Sequence, residues 1–193
     1  MSRGRLVAFE GLDQSGKQTQ AHRLRQALEA DGITVVSFDF PDYATPIGTE
    51  IGARLRGERT FPPDCLQLLY VANRCEHRPA IEAALAAGQW VVCDRWVASS
   101  IAYGEAHGLD PAWLALIQQV LPLADVTLLL DIAPEVAAQR KQHHRDAFEQ
   151  DLELLARVRG SYLRQAAETP GWHVVDAARN RDEVTRDVLN LVK

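Results

Sequence analysis

Leu6-Val7-Ala8-Phe9-Glu10-Gly11-Leu12-Asp13-Gln14-Ser15-Gly16-Lys17-Gln18-Thr19 decides how the rest of the chain is read. An apolar run of strand length passes into a loop bounded by two glycines, and a helical pattern begins at the lysine. The spacing Gly-x-x-x-x-Gly-Lys is that of a phosphate-binding loop between a strand and a helix. Glycine lets the backbone curl until successive N–H groups face one anion, and the helix N-terminus adds its partial positive charge. Residues Gly11, Leu12, Asp13, Gln14, Ser15, Gly16, Lys17, Gln18 and Thr19 are therefore the expected cradle for the phosphates of ATP, with Lys17 reaching the β- and γ-phosphates. One position departs from the pattern. Gln18 stands where Ser or Thr normally offers a hydroxyl to Mg²⁺. Thr19 is no simple substitute, because one residue along a helix is a rotation of about 100°. The Gln18 amide oxygen is also a neutral ligand and has a longer reach, directly or through water, and Mg²⁺ normally keeps several waters.

Working outward, short apolar runs alternate with helix-length segments. Strands are expected at 6–9, 33–38, 90–93, 126–132 and 172–175. Helices are expected at 17–30, 46–56, 63–87 with a break at Pro79, 111–121, from Pro134, 149–169 and 182–192. Buried strands alternating with helices give an α/β class: a three-layer fold, a five-stranded parallel sheet flanked by helices. The 193 residues suit one domain, 1–193, with a short mobile lid at about 140–149. Apolar residues make up 47% and the formal net charge is −5, which fills a core and argues against a nucleic-acid partner. No apolar run approaches the ~20 residues of a membrane helix, and no signal peptide precedes the first strand, so a cytoplasmic protein is expected. Cys65, Cys75 and Cys93 lack metal spacing and read as reduced, buried thiols.

A phosphate loop indicates a nucleotide but leaves the reaction open. After the third strand comes Asp94-Arg95-Trp96-Val97-Ala98-Ser99-Ser100-Ile101-Ala102-Tyr103. This segment resembles the signature D-R-[YW]-x-x-S-x-x-A-Y of the thymidylate kinases, a family of P-loop nucleoside-monophosphate kinases. Phe40-Pro41-Asp42-Tyr43 with Thr45-Pro46-Ile47-Gly48, and Tyr70-Val71-Ala72-Asn73-Arg74, resemble further segments of that family in the same order. The resemblance implies phosphoryl transfer from ATP to dTMP, giving dTDP on the route to dTTP. It implies that Arg95 grips the dTMP phosphate, that Asp13 holds the 3′-hydroxyl, and that Phe40 and Tyr43 belong to the acceptor site. Tyr70 would stack on thymine while Arg74 donates to it. Ser99 and Ser100 would line the base site, and Tyr103 would crowd the place of a 2′-hydroxyl. From the residues alone, Tyr70 as core and Arg74 paired with an acid is the commoner arrangement on a helix.

The acceptor is itself a phosphate with a second pKa of about 6, so no general base is expected. Lys17 and Arg95 are expected to clamp the two substrates, and Gln18 and Asp94, directly or through water, would hold an Mg²⁺ ion at the donor phosphates. In part of the family an arginine follows the loop Asp; here that place is Gln14. Arg140 or Arg145, in the basic stretch 140–149, is then the expected arginine finger. The family's D-R-[FY]-E is Asp146-Ala147-Phe148-Glu149 here, so one lid arginine is missing. The family is usually dimeric, which implies a homodimer. A kinase for another acceptor and a nucleotide binder without turnover are the competing readings.

Overall fold

The computed structural model describes residues 3–140 and 152–193. β1 (Leu6–Glu10) is buried at every position, as expected for a strand covered on both faces. It lies at the centre of a five-stranded parallel sheet ordered β2-β3-β1-β4-β5, with β2 (Val35–Asp39), β3 (Trp90–Asp94), β4 (Val126–Asp131) and β5 (Trp172–Asp176). The register pairs Phe9 with Asp94 on one side and Glu10 with Leu129 on the other. The carboxyl ends of β1 and β3 therefore finish side by side, where ligands of open α/β sheets bind.

Eight helices of the described residues cover the sheet: α1 (Lys17–Ala30), α2 (Pro46–Leu55), α3 (Pro63–Ala86), α4 (Val97–Ala106), α5 (Pro111–Leu116), α6 (Pro134–Arg140), α7 (Leu152–Glu168) and α8 (Arg181–Val192). One core cluster joins Val7, Phe9, Leu24, Leu128, Val158 and Val188. A second joins Leu6, Ala8, Ile81, Leu85, Val91 and Trp96 on the opposite face. Alternating residues of β1 enter the two clusters, so the sheet is the middle of three layers.

Several boundaries differ from the sequence reading, each for a local reason. β2 begins at Val35, because the chain leaves α1 through Gly32 at φ 78° and Ile33 N–H still caps Leu28 O at 3.0 Å. α5 stops at Leu116, after which the chain tightens into three-residue turns such as Leu121 N–H to Gln118 O at 3.0 Å. α4, not assigned from the sequence, opens directly after the Asp94-Arg95-Trp96 turn. Only Cys93 is buried; Cys65 and Cys75 are partly exposed, contrary to the expectation for all three. Among the described residues no helix is long and apolar enough to cross a membrane.

The expected break at Pro79 is absent, and α3 runs through it. Pro79 is on the exposed side, while Leu66, Val71, Ile81 and Leu85 hold the helix to the core both before and after it. Packing on both flanks thus overrides the missing N–H and the ring's clash with the preceding turn. Pro79→Ala should restore that hydrogen bond and raise unfolding stability by roughly 1–3 kcal/mol, read as a higher urea midpoint at unchanged m-value. A lower midpoint would show that the helix needs the proline.

Candidate active site

The loop between β1 and α1 has the backbone that a phosphate cradle requires. Gly11 lies at φ 137° and Gly16 at φ 94°, with Gln14 also left-handed at φ 62°. A Cβ on Gly11 would come within 2.5 Å of Leu130 O, so this position needs glycine for conformation and for space. Lys17 opens α1, is 6% exposed, and donates from Nζ to Leu12 O at 2.9 Å, with Asp13 Oδ1 at 3.8 Å. Burial, with the Arg95 charge, pulls its pKa down to about 8. Ser15 Oγ and Asp94 Oδ1 are buried without a hydrogen-bond partner among the described residues.

A polar cavity of about 880 Å³ opens over this loop, lined by Gln14, Lys17, Gln18, Asp94, Arg140 and Arg179 among others. Asp13, Ser15, Gly16 and Thr19 also line it, whereas the Leu12 side chain turns into the core and Gly11 packs against β4. Arg140, at the end of α6, bridges two sides of the cavity. Its guanidinium donates to Gln14 O at 3.3 Å and to Ala177 O at 2.9 Å, beyond β5. Arg145 lies outside the described residues.

A second cavity of about 290 Å³ lies on the other side of Arg95 and is largely aromatic and apolar. Phe40, Tyr43, Tyr70, Arg74, Ser99, Ser100 and Tyr103 all line it, so the structure brings these sequence-selected residues together from β2's end, α3 and α4. Arg74 is 3% exposed and forms no ion pair among the described residues. Its Nη1 donates instead to Ser100 Oγ at 2.8 Å, and burial lowers its pKa. The commoner arrangement, Arg74 paired with a neighbouring acid, is therefore not the one adopted among the described residues. Tyr103 offers its ring to the Arg95 guanidinium, 5.5 Å from Cζ to centroid.

The two cavities share a wall made of Asp13, Asp39, Phe40 and Arg95. Arg95 sits at φ 65°, unusual for a residue with a Cβ, immediately before α4. Its N–H is held by Phe9 O at 2.9 Å, and its guanidinium contacts Asp13, Gly11 O, Ser99 Oγ and Tyr162 Oη. Burial opposes this charge, but Asp13 and its neighbours raise the Arg95 pKa well above the ordinary arginine value.

Three contributors were not selected from the sequence. Glu10 is fully buried, and its Oε1 accepts from Trp96 N at 2.8 Å and Ser99 N at 3.2 Å. These are the N-cap and N3 amides of α4, which has no capping side chain of its own, so Glu10 caps the helix from another strand. Gln118 offers Oε1 to Arg74 at 3.5 Å. Asp39, at the end of β2, lines both cavities. A buried acid directly before the glycine loop was the one available signal, and a strand-end carboxylate is usually solvated.

Residues 9–188 match the protein family described as thymidylate kinase. The chain is similar to thymidylate kinase of Ralstonia nicotianae, 38% identical over 202 residues that cover 98% of each chain. It is similar to the Plasmodium falciparum thymidylate kinase, 33% identical over 98% of this chain and 90% of that one. The solved structure of thymidylate kinase from Candida albicans superposes with a TM-score of 0.85 at 30% identity, covering 100% of this chain and 92% of that one.

Lys17 yields the testable consequence of this geometry. Below pH about 8 it is charged, and above that it loses its proton unless an anion holds it. ATP affinity of the free protein should therefore fall as pH rises past 8, by at most about tenfold per unit. Calorimetric titration at constant ionic strength measures this; Lys17→Met should bind weakly and without that slope. A wild-type affinity flat from pH 7 to about 9.5 would contradict it.

Proposed function

Because the chain belongs to the thymidylate kinase family and phosphorylates dTMP to dTDP with ATP, we propose that its two cavities divide the substrates between them. The polar cavity over the phosphate loop takes ATP, and the aromatic cavity takes dTMP. The observation that carries this reading is their shared wall: Arg95 and Asp13 stand between the two. Reactive phosphates from either side then meet at one guanidinium.

In the donor cavity, the loop amides and Lys17 hold the ATP phosphates. On the acceptor side, Tyr70 stacks on thymine, Arg74 donates to a base carbonyl, and Phe40 and Tyr43 close the wall. Ser99 and Ser100 hold the arginines rather than meeting the base alone: Ser99 Oγ accepts from Arg95 at 3.1 Å and Ser100 Oγ from Arg74 at 2.8 Å. Asp13 takes the 3′-hydroxyl, and Tyr103 occupies the room a 2′-hydroxyl would need. An oxygen of the acceptor phosphate attacks the γ-phosphorus of ATP, the bond to the bridging β,γ-oxygen breaks, and ADP leaves. The acceptor, with second pKa about 6, is an oxyanion at neutral pH. Catalysis is thus alignment and charge stabilisation, with no base.

Mg²⁺ fits this site. Among the described residues Asp94 has a buried oxygen without a hydrogen-bond partner at the donor cavity, and burial raises its pKa, so a cation there would offset the cost of burying its charge. Asp94 and the exposed Gln18 would hold the ion, directly or through water, and the ion would neutralise charge on the donor phosphates. Among the described residues no cluster of three or more metal-binding side chains occurs, in keeping with an ion held mostly by phosphates and water. A homodimer through helix faces, which the family resemblance implies, is part of the proposal.

ADP formation from ATP and Mg²⁺ with dTMP, dUMP, UMP, CMP and AMP in parallel tests the acceptor assignment. We expect dTMP to be preferred; preference for another acceptor would overturn the roles given to Tyr70, Arg74 and Tyr103. Arg140 is the arginine finger among the described residues. Arg140→Ala should lower kcat by about 10³ or more. Full turnover in that variant would pass the role to Arg145.

A further inference from the structure

The Arg95 guanidinium is held by its two ends in different ways. Nη2 faces Asp13, a half-exposed carboxylate on the loop, 38% exposed. Nη1 donates to Gly11 O at 3.2 Å, to Ser99 Oγ at 3.1 Å and to Tyr162 Oη at 3.3 Å. Tyr162 belongs to α7 and is fully buried. Its hydroxyl also lies 2.9 Å from Ser99 Oγ and 3.2 Å from Glu10 Oε2, and Ser99 Oγ donates to the same Glu10 oxygen at 2.6 Å. A polar cluster results, in which the side-chain hydrogen bonds of Glu10, Ser99 and Tyr162 among the described residues go to one another, the α4 amides and Arg95. Tyr162 is otherwise an apolar-face residue beside Val158 and Leu155, where phenylalanine would fill the same space. A buried hydroxyl costs free energy unless bonded, so its presence calls for a partner with a use.

We propose that Tyr162, together with Glu10, is a positioning residue for the reaction: the pair fixes the Nη1 end of Arg95 so that Nη2 is the end offered to the acceptor phosphate. This rests on the reading of Arg95 as the acceptor clamp. Asp13 leaves Nη2 when the sugar hydroxyl arrives, and the guanidinium stays in place because Nη1 does not depend on Asp13. Glu10 contributes a second effect. Its carboxylate caps α4 and directly precedes Gly11, so one residue links the donor loop to the acceptor helix. Donor and acceptor are thereby held in a fixed relation, which in-line transfer requires.

The test compares Tyr162→Phe, Arg95→Lys and the double variant. Tyr162→Phe keeps the ring and is expected to fold. Its kcat/KM for dTMP should fall about tenfold while ATP affinity stays within about twofold of wild type. Arg95→Lys, without a second guanidinium end to hold, should fall about 10² or more, and adding Tyr162→Phe should cost nothing further. Glu10→Gln replaces one acceptor oxygen by a donor and should reproduce the selective loss on dTMP, which keeps the proposal open to test if Tyr162→Phe is unstable. Wild-type kcat/KM in both Tyr162→Phe and Glu10→Gln, beside an impaired Arg95→Lys, would overturn the positioning role and leave the clamp standing. An equal loss of ATP affinity, or a further tenfold loss in the double variant, would overturn it too, since a merely structural defect acts that way. Full activity of Arg95→Lys would remove the clamp reading itself.

Discussion

Keeping three cations charged inside a folded chain is the constraint around which this protein is organised. Lys17, Arg74 and Arg95 are all largely buried, at 6%, 3% and 13% exposure. A buried charge without partners costs several kcal/mol. Each is compensated differently. Lys17 relies on a loop carbonyl and a distant Asp13, and its pKa falls to about 8. Among the described residues Arg74 has only neutral acceptors in contact and feels Glu10 at longer range. Arg95 has Asp13, two hydroxyls and a carbonyl, and its pKa rises. Lys17, whose pKa is pulled down to about 8, faces the polar cavity, where an arriving polyanion would supply what the protein withholds.

The sheet order makes this concentration of charge possible. β1 lies between β3 and β4, and the Phe9–Asp94 register brings the glycine loop beside the Asp94-Arg95 turn. Had β2 lain next to β1, Arg95 would be a strand's width further from the loop, about 5 Å. Glu10 then joins the two strand ends through the amides of α4. Local backbone strain at Arg95, φ 65°, persists because its N–H, the α4 cap and the guanidinium bonds all fix the same conformation.

Much of this was legible in the residues. The glycine spacing before Lys17 placed the loop, because backbone curvature is a local demand that only glycine meets at Gly11 and Gly16. The parallel sheet followed from strands apolar at every position, such as Leu128-Leu129-Leu130. Members of the aromatic cavity were singled out through resemblance, since nothing local marks Tyr70 or Arg74 as anything but helix residues. What stayed hidden depended on long-range pairing. Glu10 finds its partners 86, 89 and 152 positions away, and Tyr162 reads as one more apolar residue of α7. Pro79 was misleading because helix propensity is a local quantity, whereas Ile81 and Leu85 keep their turn of α3 by packing on the sheet.

The balance of charge carries the chemical argument one step further. Around the reacting position stand Lys17, Arg74 and Arg95, set against Glu10, Asp13 and Asp94. The three positive and three negative charges cancel when all are ionised, so these six alone offer little net attraction to two phosphorylated substrates that also repel each other. Two features relieve this. Glu10 is sealed behind α4 and spends its charge on amides and hydroxyls, so its field reaches the substrates weakened. Asp94, by contrast, keeps one oxygen unpartnered beside the donor cavity, and its burial is costly unless a cation arrives. A site balanced in this way should admit the two anions well only when additional positive charge enters with the nucleotide, which a divalent ion would supply, while Arg140 already lines the polar cavity.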